Sequence, residues 1–167
     1  MGKISGRGIG LKIRGTNAHR IAEAMGFVRL GSVVLIGERN SWRMGSVILL
    51  DSCILIDHFT GKPQAHKFID DYWKDFVISA ITRAEVMAGF DQSGRESAAR
   101  FLDQFPVIYI DVKIADFAAE LRRLHRWKRP DAIQAAVALS EGLQLATRNI
   151  KDFPPALHAF VIFPYEL

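Results

Sequence analysis

The sequence predicts an α/β fold, a mostly parallel sheet covered by helices on both faces. Three observations carry this expectation. Short apolar runs of strand length alternate, from residue 47 onward, with longer stretches of helical period. The first run, Val47-Ile48-Leu49-Leu50, is continuously apolar, as in a strand buried on both faces. Gly, Pro and Asp residues punctuate the joins, which is where loops between such units fall.

The elements follow in order. Residues 47–50 form the first strand, and Ser52 is positioned to N-cap a helix over 52–59. Gly61-Lys62-Pro63 interrupts the helical pattern, which resumes over 65–73. A second strand is expected over 76–78 and a helix over 81–90, ended by the turn-like Asp91-Gln92-Ser93-Gly94. Residues 96–105 read as another helix and 107–110 as a third strand. Ile114, Phe117, Leu121 and Leu124 recur on one face of the next helix. Pro130 suits the first turn of a helix over 131–141, which Gly142 ends. A fourth strand at 144–146 and a fifth, at the sheet edge, over 160–162 complete the pattern.

The chain divides into two parts. Residues 1–43 are rich in glycine and arginine, with a possible helical patch over 18–25 and a strand over 33–36. They hold eight Lys/Arg and two Glu, a net charge of +6. Residues 44–167 hold the other 14 basic and 16 acidic residues, a net of −2, so the two parts sum to the overall +4. The basic character therefore belongs to the N-terminal segment, expected to be an appended, mobile extension; a basic arm for RNA or a partner is its functional alternative. The compact domain is expected to span 44–167. An apolar content of 49% suits a folded domain, and a single cysteine, Cys53, excludes an internal disulfide framework and fits a reducing cytoplasm. No apolar run reaches the length needed to span a bilayer.

Four acids stand in distinctive settings: Asp51 closing the first apolar run, Glu85 on the helix after the second strand, Asp131 behind Pro130, and Asp152 after the fourth strand. Taken singly, each has a bland explanation: a capping acid, an exposed helix residue, a helix-dipole acid and a solvated loop charge. Taken together they sit near strand ends of one alternating fold, where ligands collect. Carboxylates brought together repel, and a hard divalent cation is their natural neutraliser.

Leu50-Asp51-Ser52, Ser79-Ala80-Ile81-Thr82-Arg83-Ala84-Glu85, Pro130-Asp131-Ala132-Ile133-Gln134-Ala135-Ala136 and Leu145-Ala146-Thr147-Arg148-Asn149-Ile150-Lys151-Asp152-Phe153 together resemble the motifs of the PIN-domain family, in particular VapC-type toxins of bacterial toxin–antitoxin pairs. The resemblance covers residues 46–165 and has no place for 1–43. It implies a three-layer α/β/α fold with a four- to five-stranded sheet. It also implies a Mg²⁺- or Mn²⁺-dependent endoribonuclease whose metal-binding and catalytic quartet is Asp51, Glu85, Asp131 and Asp152. By the same resemblance Ser52 would orient Asp51, and Thr147, Arg148 and Asn149 would position phosphate, water or carboxylate. An RNA substrate, a cognate antitoxin and a homodimer are implied as partners, in the cytoplasm and without a membrane.

The basic run Arg122-Arg123-Leu124-His125-Arg126-Trp127-Lys128-Arg129 reads either as an RNA-binding patch, with Trp127 stacking on a base, or as a solvated helix end. Arg148 is the stronger candidate for a phosphate contact. The histidines lack metal-ligand spacing, Cys53 reads as a small buried residue rather than a nucleophile, and Asp57 as a surface charge. The alternative function is a non-catalytic module of the same fold that binds RNA or protein. An aspartyl-phosphate receiver fits less well, because no second acid adjoins Asp51.

Overall fold

A computed structural model describes residues 47–167. The helical patch over 18–25, the strand over 33–36 and the domain start at Met44 lie outside the described residues. Within them the elements are β1 (Ile48–Leu50), α1 (Ser52–Phe59), α2 (Pro63–Tyr72), a 3₁₀ turn (Trp73–Asp75), β2 (Phe76–Ser79), α3 (Ala80–Ala88), α4 (Gln92–Leu102), β3 (Val107–Ile108), α5 (Val112–His125), α6 (Arg129–Glu141), β4 (Gln144–Ala146) and β5 (Val161–Ile162). The five strands form one sheet in the order β3-β2-β1-β4-β5, parallel throughout.

Period-2 alternation along β1 divides the core between the two faces. Ile48 and Leu50 join Ile54 and Leu55 of α1, Phe68 and Ile69 of α2, Val86 of α3 and Leu102 of α4 on one side. Leu49 points to the other side, toward Phe117 and Leu121 of α5 and the alanine-rich face of α6. The result is the α/β/α sandwich. The chain leaves β1 in one direction to reach β2 and β3, then returns on the other side to β4. The carboxyl ends of β1 and β4 are thus a topological switch point, where a parallel sheet opens a crevice.

Capping chemistry sets most helix starts. Asp51, Ser79, Asp91 and Asp111 accept backbone N–H bonds at the starts of α1, α3, α4 and α5. Two expectations change accordingly. The cap of α1 is Asp51, not Ser52, because Ser52 is already the first helical residue and its N–H donates to the Asp51 carboxylate. The segment Asp91-Gln92-Ser93-Gly94 opens α4 rather than ending α3, since Asp91 accepts from Gly94 N at 2.9 Å. Gly94 is required there by space, because a Cβ would meet the Phe90 ring at 2.8 Å. β3 is shorter than expected, because it is an edge strand whose continuation turns Tyr109 out, 80% exposed.

One buried polar chain crosses the sandwich. Ser79 Oγ donates to Gln134 Oε1 at 2.7 Å, Gln134 Nε2 donates to Thr82 Oγ1 at 2.5 Å, and Thr82 Oγ1 donates to the Leu50 carbonyl at 3.0 Å. All three side chains are almost completely buried, so each hydroxyl and amide needs its partner. Gln134→Ala is expected to cost about 2–4 kcal/mol, since it removes two buried hydrogen bonds and opens a cavity. Urea denaturation would measure it; a loss under about 0.5 kcal/mol would show that water repairs the chain.

Candidate active site

Asp51 ends β1 and is held from several sides, although only 8% exposed. Its Oδ1 accepts from Ser52 N at 2.7 Å, and its Oδ2 from Thr147 Oγ1 at 2.5 Å and Cys53 Sγ at 3.2 Å. Thr147 follows β4, paired in register beside β1, and is fully buried. The parallel pairing of these two strands therefore delivers the hydroxyl to the carboxylate.

Asn149 makes a second junction. Its Nδ2 donates to Asp131 Oδ1 at 3.2 Å and to Asp152 Oδ2 at 2.9 Å, while its Oδ1 accepts from Asp152 N at 3.3 Å. Its own backbone N donates to Thr147 Oγ1 at 3.0 Å, joining the two junctions. Asp131 sits in the first turn of α6 and Glu85 on α3, one turn beyond Thr82.

The acids feel one another. Burial raises the Asp131 carboxyl above its ordinary range; Asp152 and Asp51 add to this, while Asn149 and Lys128 oppose it. Burial also raises Glu85; Ser52 opposes that through a hydrogen bond, and Asp51 and Asp131 reinforce it. Among the described residues none of the four acids is in a salt bridge. Neutral groups tether them instead.

No three His, Cys, Asp or Glu side chains among the described residues converge into a ready-made metal cage. Asn149 lies between Asp131 and Asp152, and like charges spread. The donor chemistry nevertheless fits a hard divalent cation: all-oxygen ligands, uncompensated negative charge, and an open arrangement. Mg²⁺ characteristically binds through one or two carboxylates and keeps several waters.

Other expected roles change. Asp57 is buried, not a surface charge; Arg148 Nε donates to its Oδ2, Arg148 Nη2 to its Oδ1 at 2.9 Å, and Tyr165 Oη to its Oδ2 at 2.9 Å. The Arg148 guanidinium is committed to this clamp rather than free for phosphate. Arg148 touches the site through its backbone N, which donates to Cys53 Sγ at 3.4 Å. Trp127 is not an exposed stacking platform: it is 4% exposed, its ring packs on Phe153 and His125, and its Nε1 donates to the Asp152 carbonyl at 2.8 Å. A signal for Asp57 was present in the sequence: an acid at the end of Cys53-Ile54-Leu55-Ile56, an apolar run that predicts burial and so demands a cationic partner.

A PIN domain family model matches residues 48–154. A toxin–antitoxin complex from Klebsiella pneumoniae is 39% identical, covering 72% of this chain and 99% of that one, with a TM-score of 0.65. FitAcB from Neisseria gonorrhoeae is 24% identical over 72% of this chain and 100% of its own, with a TM-score of 0.60. VapBC2 from Rickettsia felis, solved bound to a DNA fragment from the promoter, is 22% identical over 70% and 97%, with a TM-score of 0.58. At those identities the last two speak to the fold alone. No curated protein matches the chain.

Burial, then the adjacent Asp51 charge, push the Cys53 thiol up to about 12. Alkylation near pH 8.5 is expected to be about two to three orders of magnitude slower in folded than in urea-unfolded protein. The unfolded chain releases this proton above its ordinary 9.0 and the folded chain only near 12, so the stability it contributes is full below pH 9 and lost across that window. Tyr165, raised by burial and by Asp57, acts in the same direction at high pH. Equal alkylation rates in the two states would show that Cys53 is an accessible thiolate.

Proposed function

The chain belongs to the PIN-domain family, and from that premise we propose that it is the ribonuclease toxin of a toxin–antitoxin pair, cutting RNA phosphodiesters with a Mg²⁺ or Mn²⁺ ion held by carboxylates. The observation that carries this reading is the unneutralised acidic site: Asp51, Glu85, Asp131 and Asp152 share one electrostatic neighbourhood with no side-chain cation in a salt bridge to any of them. A purely structural cluster of this kind would be paired with Arg or Lys, as Asp57 is.

Asp51 and Asp131 would be the principal ligands, with Glu85 and Asp152 completing the set. The cation would neutralise charge building on the phosphate and ease formation of the attacking nucleophile from water. The protein's contribution is position. Thr147 and the Ser52 N–H fix both oxygens of Asp51, and Asn149 holds Asp131 and Asp152 at a set separation. These donors are neutral, so they orient the acids without competing for their charge.

The antitoxin partner is supported by the relationship to the Klebsiella complex, whose 39% identity spans nearly that whole chain. A homodimer and a cytoplasmic site of action belong to the same proposal. No described helix is long and apolar enough to cross a membrane.

Purified full-length protein is expected to cut total RNA with Mg²⁺ or Mn²⁺ and to stop with EDTA. Asp51→Asn and Asp131→Asn should each lose at least about 100-fold. Mn²⁺ at about 100 times its Kd should stabilise the wild type by about 2.7 kcal/mol and Asp131→Asn by much less. Full cleavage by both variants would sink the carboxylate-metal mechanism. Absence of both cleavage and metal stabilisation would favour the non-catalytic module.

A further inference from the structure

The turn between α5 and α6 carries cations that the stability of its own helices does not explain. Arg122 and His125 end α5, where the dipole favours positive charge. The next three cations run against local preference. Arg126 is the C-cap of α5 at φ 59, the only non-glycine residue with positive φ among the described residues, at a position where glycine is preferred. Lys128 is the N-cap of α6 and makes no side-chain capping bond. Arg129 follows at the first position of α6, where the dipole disfavours a cation. Single cations do begin helices elsewhere, as Lys62 does for α2. Three unfavourable placements within four residues, on a turn leading directly to Asp131, occur only here among the described residues.

The turn is also rigid and joined to the site. Trp127, between Arg126 and Lys128, is driven into the core and hydrogen-bonded to the Asp152 carbonyl at 2.8 Å. Burying one residue of the turn forces its neighbours outward. Arg126, Lys128 and Arg129 are all exposed, and none forms a salt bridge, whereas Arg123 is taken by Glu120. The chain therefore holds a row of free cations beside an acidic site, with Asp131 two residues beyond Arg129 and Asp152 on the far side of the tryptophan. Departures from local rules concentrate where function overrides stability.

We propose that Arg126, Lys128 and Arg129 form a phosphate-binding shelf for single-stranded RNA, guiding the backbone past Asp131. This rests on the ribonuclease reading and adds where the strand lies. The site's own acids repel a polyanion, so the affinity must come from beside them. Three cations without a salt bridge on that turn supply it; of these Lys128 also acts on Asp131, lowering its carboxyl without a direct ion pair. Phosphate contacts of this kind position a strand and carry no base preference.

Because each residue works against its helix, removing the charge tests the idea with an opposite-signed control. The triple variant Arg126→Gly, Lys128→Ser, Arg129→Gln restores a glycine C-cap and a serine N-cap, so its Tm should equal or exceed that of the wild type. Its affinity for a labelled oligouridylate, read by fluorescence anisotropy in EDTA with full-length protein, should fall roughly 10- to 100-fold, and the slope of log K against log salt should shrink by about 2. Lys62→Ser, Lys74→Ser, Arg95→Gln removes equal charge elsewhere and should leave that slope nearly unchanged. Unchanged RNA affinity and slope in the first variant, with wild-type cleavage intact, would overturn the shelf, leaving the turn a solvated or protein-facing surface, and spare the ribonuclease reading. Equal losses in both variants would overturn it as non-specific charge. A fall in Tm accompanying lost binding would overturn it in favour of a structural role. Wild-type protein that neither binds nor cuts RNA would remove both readings.

Discussion

The buried chain Ser79–Gln134–Thr82–Leu50 is the constraint on which the site depends. Three of its four members lie one residue or one helical turn from an acid: Leu50 precedes Asp51, Thr82 is one helical turn before Glu85, and Gln134 one turn after Asp131. The hydrophobic cores on the two faces of the sheet hold the layers together, but apolar packing is non-directional and tolerates small slides. A fully satisfied polar chain does not, because any slide breaks a buried hydrogen bond whose loss is costly. Strands β1 and β2 and helices α3 and α6 are thereby registered to one another just behind the place where the carboxylates emerge.

The same logic separates the two kinds of acid in this protein. Asp57 is buried in an ion pair with Arg148 and capped by Tyr165, which joins the C-terminal segment and the loop after β4 to α1. Its charge is compensated, so its role is architectural. Asp51, Asp131 and Asp152 are tethered by Thr147 and Asn149, which donate hydrogen bonds but bring no net charge. Acids contacted from the same loop thus receive opposite treatment: Asp57 is charge-compensated, whereas Asp51, Asp131 and Asp152 are in no salt bridge among the described residues. Arg148 sits between Thr147 and Asn149 in sequence, so the architectural clamp also fixes the backbone from which both tethers project.

Much of this was legible in the sequence, for physical reasons that also explain the failures. β1 and β4 are central strands buried on both faces, and their continuous apolar runs state this directly; the edge strands β3 and β5 are short because little packs beyond them. α6 announced itself through Pro130 and Gly142, whose conformational demands are local. The four acids could be picked out because strand ends in a parallel sheet share one rim. The misreadings of Asp57 and Trp127 concern residues whose fate is decided by a distant partner. Asp57 takes its meaning from Arg148, 91 positions away. Trp127 lies among five cations and reads as surface, until the reversal at Arg126 aims that one side chain inward toward Phe153. Asp91 to Gly94 have turn composition, and the same composition caps a helix.

These tertiary decisions converge on the loop of residues 147–153. Thr147 reaches back to Asp51, Arg148 to Asp57, Asn149 across to Asp131, and the Asp152 carbonyl receives Trp127. A seven-residue loop with anchors in β1, α1, α6 and the α5–α6 turn has little freedom left. Free carboxylates at such close quarters would otherwise relax apart, and a divalent cation would then have to recover that spread from its own binding free energy. Anchoring the loop through neutral donors and a remote ion pair moves that ordering cost into folding, where the core already meets it. Burial raises the carboxyls of Asp131 and Glu85, and repulsion from the neighbouring acids adds to it. That residual repulsion is what a cation entering the site would relieve.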